Sequence, residues 1–278
     1  MRKIILSLSL CLSIAAAVAQ VQEEPENSSY LPQAGDFALG IDANPFLGYL
    51  GNFLSSSGLN AAPTFGLQGQ GIYGKYFLED GRAIRAKLLL DMYSRSNKES
   101  VVNDEAIGAR PGATAIDTKK TGAVGATLSV GYEFRRGRGR VQGFCGGELA
   151  LGLSKTSTTY EYGNPMTAAN PTPSSAFGFT IANPNVRTLS EKGGLGFSGG
   201  LRGFVGVEYF IANQLSLGGE LALGLDASML GQSETTSQQV EDGEVRESVV
   251  RRRSAANVAN DFGLRTATGG SIFLMFYF

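Results

Sequence analysis

DFGLRTATGGSIFLMFYF, residues 261–278, closes the chain. Every second residue back from the end (Phe278, Phe276, Leu274, Ile272, Gly270, Thr268, Thr266, Leu264, Phe262) gives a mostly apolar face with a period of two, the pattern of a strand and not of a helix. The intervening Tyr277, Met275, Phe273, Ser271, Gly269, Ala267, Arg265 and Gly263 form a second face, small or charged except near the terminus. A strand of about ten residues or more with one continuous apolar face is long enough to cross a bilayer when tilted. A buried C-terminal strand of a soluble domain is the alternative for this stretch alone.

At the other end, Arg2 and Lys3 precede an apolar run from Ile4 to Val18, and Ala17-Val18-Ala19 leads into Gln20. Charge, apolar core and small residues in that order predict a secretory signal over residues 1–19, cleaved on export. Cys145 is then the one cysteine left, so no internal disulfide forms. The remaining stretch of about 259 residues suits one large barrel. It is rich in glycine, with 38 in the full chain, and has neither Trp nor His. A net charge of −1 gives no drive toward nucleic acid.

Residues 20–35, with Pro25, Pro32 and three glutamates, read as a polar periplasmic leader. Eight strands with period-two alternation follow over 36–278: near 36–43, 65–78, 84–93, 123–134, 141–154, 195–210, 215–226 and the terminal stretch. The second is the weakest, because Gln68 and Gln70 fall on the face that is apolar if Tyr76 points out; a bulge or a rim position accounts for that. Between the strands lie long polar connections over about 44–63, 94–121, 155–193 and 229–260, alternating with short turns at 79–82, 135–140 and 212–214. The last long connection is itself a candidate hairpin turning at Glu241-Asp242-Gly243.

Long and short connections alternate, which puts both termini and all three short turns on one side, as in barrels with short periplasmic turns and longer extracellular loops. The expectation is an all-β, eight-stranded antiparallel up-and-down transmembrane β-barrel. A secreted barrel of lipocalin type, with the faces reversed, is the soluble alternative. Gly206-Val207-Glu208-Tyr209-Phe210-Ile211 followed by Leu215-Ser216-Leu217-Gly218-Gly219-Glu220-Leu221 resembles the small, porin-like outer-membrane β-barrels of Gram-negative bacteria, in particular the Bacteroidetes-type outer-membrane β-barrel domain. The resemblance spans about residues 36–278. It implies integral residence in the bacterial outer membrane with both termini periplasmic. It also implies that Phe276 and Phe278 form the assembly signal read by the barrel insertion machinery, although Phe273 stands where that signal often carries glycine.

The polar faces collect Arg85, Lys87, Arg202 and Arg265 with Asp91, Glu133, Glu148, Glu208, Glu220 and Asp226. Eight strands enclose an interior that side chains fill, so these charges are expected to pair across a narrow lumen as a structural plug; a gated proton or solute path is the alternative. Without histidine, and with the carboxylates committed to the arginines, neither an enzyme nor a zinc site is expected, and no cofactor is implied. Asp104 and Glu105 lack the spacing of an EF-hand. Arg135, Arg136, Arg138 and Arg140 are expected at the periplasmic headgroup level. Arg251, Arg252 and Arg253 either contact lipopolysaccharide phosphates or pair with Glu241, Glu244 and Glu247 across the hairpin. Tyr160, Tyr162, Phe177 and Phe179 are expected to pack the loop rather than to offer a contact surface. The functional expectation is a non-enzymatic membrane protein with a structural or surface-interaction role carried by its extracellular loops. A narrow conduit for small solutes or apolar molecules, and an accessory subunit with envelope protein partners, are the alternatives.

Overall fold

A computed structural model describes residues 31–43, 68–106, 112–177, 179–180, 183–252 and 265–278. The signal, most of the leader and the first long connection lie outside these residues. Twelve strands form one antiparallel sheet: β1 (Phe37–Asp42), β2 (Gln68–Glu79), β3 (Arg82–Val102), β4 (Thr114–Arg138), β5 (Val141–Glu161), β6 (Phe179–Thr180), β7 (Asn183–Lys192), β8 (Gly196–Ala212), β9 (Leu215–Leu230), β10 (Ser233–Glu241), β11 (Glu244–Arg252) and β12 (Arg265–Tyr277). Eight of them close a ring in the order β1-β2-β3-β4-β5-β8-β9-β12, and β12 returns to β1 from Ala38↔Tyr277 to Asp42↔Phe273. The terminal stretch is therefore the staple that closes the ring and leaves no edge within it. In β2 the register slips between Gln68 and Gln70, which is how this strand keeps Tyr73, Lys75 and Phe77 inside while Tyr76 points out.

The ring is only the lower part of the sheet. The pairing of β3 with β4 runs unbroken from Arg82↔Phe134 to Val102↔Thr114, about 70 Å of ladder where roughly ten residues cross a bilayer. Partway up, β5 exchanges partners: Val141–Ser154 pair with β8, whereas Ser157–Thr159 pair with β7. From there β7, β10 and β11 continue the wall as an open six-stranded sheet in the order β11-β10-β7-β5-β4-β3. This corrects the expected loops: 94–121 is mostly the upper β3–β4 hairpin, 155–193 contains the end of β5 with β6 and β7, and 229–260 contains β10 and β11. The physical reason is that a strand with water on both faces needs no apolar alternation. Its Ser, Thr and Lys residues satisfy their backbone through the ladder while reading as a polar loop. The β10–β11 hairpin turns at Asp242 and Gly243, both with positive φ (52° and 79°), the pair of left-handed residues that matches strand twist in a two-residue turn.

Candidate functional site: the packed lumen

Alternation along the ring strands divides their side chains between two environments. Leu128 on β4, Leu201 on β8 and Leu221 on β9 stand outward with 49%, 67% and 68% of their surface exposed, together with Leu39, Ile72, Ile84, Val130, Leu149, Leu151, Leu225 and Phe276. Toward the short turns this belt becomes aromatic, with Phe37, Tyr76, Phe134, Tyr209, Phe276 and Phe278 all exposed. Glu133, Glu148, Glu208, Glu220, Arg85, Lys75 and Arg135 point the other way and are buried. Oily residues outside and ionised ones inside a closed ring suit hydrocarbon as the outer solvent, with an aromatic girdle at one boundary. The ring is a closed β-barrel with the outer surface of a membrane-spanning one. The lipocalin-type alternative, which needs the leucines within, is excluded.

The barrel's lumen is filled by two interlocked sets of side chains. The first is a charge network. Arg85 Nη1 and Nη2 donate to Glu220 Oε2 and Oε1 at 2.6 and 3.1 Å, and the same guanidinium lies 3.4 Å from Glu148 and 3.7 Å from Glu133. Lys75 Nζ donates to Glu133 Oε1 at 3.0 Å and to Glu208 Oε2 at 3.3 Å. Arg135 Nη2 donates to Glu208 Oε2 at 2.6 Å and Nη1 to the Tyr277 hydroxyl oxygen at 3.2 Å. The hydroxyls of Ser216 and Tyr277 donate to the other oxygen of Glu208. Ions so far from water persist only where partners and hydrogen bonds replace it.

The second set is aromatic. The Arg85 guanidinium lies 3.9 Å from the Phe204 ring centre, Lys75 Nζ lies 4.7 Å from Phe144 and 5.3 Å from Phe273, and Arg135 lies 5.3 Å from Phe77. Room for these rings comes from glycines on the inner face. A Cβ on Gly218 would strike the Phe273 ring, and one on Gly206 the Phe144 ring. The glycine of the sequence is thus partly a set of sockets for inward aromatics.

Of the ten lumen residues expected from sequence, Arg85, Glu133, Glu148, Glu208 and Glu220 meet in this network. Arg202 and Asp226 form a separate, partly exposed pair at 3.0 Å. Lys87 lies 4.9 Å from the Tyr73 ring centre, and Asp91 is exposed. Arg265 is Cα partner to Asp226, but its side chain is outside the description. Sequence reasoning missed Lys75, Arg135 and Tyr277. Arg135 corrects the reading of 135–140 as one headgroup-level basic run: it continues the inward parity of Glu133 and is buried, while Arg140 reaches the backbone oxygen of Ile211 at 3.3 Å. Counting in twos from Glu133 was the available signal. Lys75 sits on the strand whose bulge hid its parity.

Three buried cations face four buried carboxylates. Glu133 Oε2, Glu148 Oε2, Ser129 Oγ and Tyr73 Oη have no hydrogen-bond partner, and they cluster on the inner faces of β2, β4 and β5. The network offers bound charge and closure. Among the described residues, no group of three or more His, Cys, Asp or Glu side chains converges as a metal site. Cys145 stands on the outward parity of β5, half-buried.

Beyond the ring, Arg251 Nε donates to Glu234 at 3.1 Å, and Lys192 Nζ reaches the same carboxylate at 3.1 Å. These two bonds, that from Lys192 first, hold Glu234 below the usual carboxylate range. Arg251 thus pairs across the hairpin, with Glu234 in place of the expected Glu241, Glu244 or Glu247; Arg252 is exposed on β11, and Arg253 lies outside the described residues. Tyr160 and Tyr162 stack at 6.2 Å, Phe177 lies 6.4 Å from Tyr160, and Arg187 covers Tyr162 at 4.1 Å. Burial pushes the Tyr162 hydroxyl up. These rings pack the rim; the side chain of Phe179 is outside the description. Buried Asp117 accepts from Gly163 N (2.8 Å), Ala176 N (2.9 Å) and Ser175 Oγ (2.7 Å), clasping residues 163–177 to the top of β4. Asp104 accepts from Ser174 N at 2.7 Å and Asn170 Nδ2 at 2.8 Å.

No protein-family model matches the chain, and neither does any curated protein. Among solved structures, a major outer membrane protein from Thermus thermophilus aligns over 88% of this chain and 100% of its own, with 11% identity and a TM-score of 0.38. The outer membrane protein OprG from Pseudomonas aeruginosa aligns over 90% and 98%, with 10% identity and a TM-score of 0.31. Likeness at that level adds nothing to the ring closure, which the strand pairing itself establishes.

Proposed function

We propose that the protein is a non-enzymatic, non-conducting anchor in the bacterial outer membrane, which displays the six-stranded sheet above the ring as a surface for interaction. The observation that carries this reading is the filled lumen: Arg85, Lys75 and Arg135 are locked to carboxylates between Phe77, Phe144, Phe204, Phe210 and Phe273, all with almost no exposed surface. In this reading both termini and the short turns face the periplasm, the signal at 1–19 is removed on export, and Phe276 and Phe278 guide assembly. Lipopolysaccharide surrounds the ring where Arg251 and Arg252 meet the outer boundary. Envelope partners engage the displayed sheet rather than the 135–140 turn, whose Arg135 is committed inward.

The test is conductance of the purified protein in planar bilayers, with Glu148→Gln and Arg202→Gln beside the parent. Silence in all three supports the anchor. Unitary steps that change with Glu148→Gln establish instead the narrow-conduit reading, which the oxygens of Glu133 and Glu148 that accept no hydrogen bond favour.

A further inference from the structure

Strand β11, EVRESVVRR over Glu244–Arg252, is an edge left open. All nine residues are exposed, and among the described residues β10 is its only neighbour. The β10–β11 register runs from Ser233↔Arg252 to Glu241↔Glu244 without a bulge. The strand contains no proline, and Val245, Val249 and Val250 stand exposed along it. Protein edges are ordinarily blunted by a bulge, a proline, short length or a covering segment, because a free row of N–H and C=O groups is a template for another strand. Lys and Arg also guard edges, but here the charges are sorted along the strand: Glu244 and Glu247 lie toward one end, where Arg246 between them is taken up by Glu241 and Asp242 at 3.6 and 3.7 Å, and Arg251 and Arg252 lie at the other.

Sorted charge makes the strand complementary to itself in the antiparallel sense. Two copies related by a two-fold axis perpendicular to the sheet keep their side-chain faces matched only when some residue lies opposite itself. With Ser248 on the axis, Glu244 stands opposite Arg252 at both ends, Arg246 opposite Val250 and Glu247 opposite Val249, so no like charges face each other. A slide one way puts Glu247 opposite Glu247; a slide the other way puts Arg246 opposite Arg252, which offsets its Glu247–Arg251 pairs, so the Ser248 register is the one with attraction alone. Glu244 and Arg252 carry no ion pair within the described residues, which leaves them available for this one.

We propose that β11 pairs with β11 of a second copy of this chain, antiparallel about Ser248, and that the second copy sits in a facing membrane. The orientation follows from the wall. The row Ser157–Lys192–Glu234–Arg251 carries the barrel sheet straight into β11, so an axis perpendicular to that sheet lies in the membrane plane. Rotation about such an axis inverts the partner's membrane normal. Two barrels in one bilayer need an axis along the normal, which antiparallel pairing of a continued wall does not supply. The inference rests on the display reading and names its partner.

The experiment uses the mature chain with Cys145→Ser, reconstituted into phosphatidylcholine vesicles, and Ser248→Cys in that background. Mixed vesicles are expected to cluster by light scattering and, on oxidation, to give a Ser248→Cys cross-linked dimer, whereas Val102→Cys, on the other edge without a neighbour among the described residues, gives none. Glu244→Arg is expected to abolish clustering, and Glu244→Arg with Arg252→Glu to restore it. Dispersed vesicles, equal cross-linking at position 102, or cross-linking that forms only within one vesicle overturn the pairing. A Ser248→Cys thiol that reacts with an impermeant maleimide from outside, yet neither cross-links nor clusters vesicles, sinks the pairing and leaves the display reading standing; a thiol out of reach from either side of the membrane sinks both.

Discussion

Glu208 shows what one residue does in this interior. It joins Arg135, Lys75, Ser216 and Tyr277, drawn from four different strands, so it ties the ring across its diameter as well as along its wall. Arg135→Met leaves that carboxylate buried with one cation fewer, and we expect a loss of about 3–5 kcal/mol in urea-induced unfolding in detergent. Arg251→Gln breaks an exposed pair and is expected to leave the unfolding midpoint nearly where it is in the same measurement. Neighbouring glycines separate the two faces with equal sharpness. A Cβ on Gly218 meets the Phe273 ring, whereas one on Gly219 meets nothing within 4 Å. Gly218→Leu should cost about 1–3 kcal/mol through overpacking and slow refolding, while Gly219→Leu, turned toward lipid, refolds as the parent does. A gel-shift refolding assay distinguishes them; equal behaviour contradicts the assigned parity. At this scale the sequence was legible wherever alternation was clean. Five of the ten expected charges meet in one network, and Arg135 was lost only because a run of arginines read as a turn.

Among the elements, the ring strands were the readable ones and the strands above them were not. Leucine, valine and phenylalanine at every second position declare a wall between lipid and lumen. Ser94–Val102, in contrast, carries Ser-Arg-Ser-Asn-Lys-Glu-Ser before its two valines, a composition fit for water on both sides whether paired or not. What fixes it as a strand is its partner in β4, which a single segment cannot reveal. The segment 163–177 is ordered by acceptors on its neighbours. Burial of Asp104 works to raise its carboxyl, but the bonds from Ser174 and Asn170 outweigh this and hold it below the ordinary value. A depressed carboxyl lends stability that is present above its unfolded value and lost as pH falls through the folded one. Amide protection at Ser174, taken relative to the intrinsic exchange rate at each pH, is therefore expected to fall on acidification through the carboxylate range, and Asp104→Asn to lower it at all pH. Exchange that ignores both places the clasp elsewhere.

For the whole molecule, closure and filling decide what passes through. The network around Arg85 spans the lumen, and the rings of Phe77 and Phe210 lie beside Tyr277 toward the short turns. Phe210→Ala with Phe77→Ala is expected to cost several kcal/mol by cavity formation, about 3–5 for each ring, yet to leave the bilayer current silent so long as Arg85 keeps Glu220. Current in that double variant places the barrier in the rings instead of the ions.

The β3–β4 ladder runs from the inner turn to the outer rim without a break. A load taken at the rim has no hinge to bend and no linker to stretch. It is shared in shear over many backbone bonds down to Arg82. The barrel in that sense is the foot of a mast, and whatever grips the top is held at a set height and bearing above the ring.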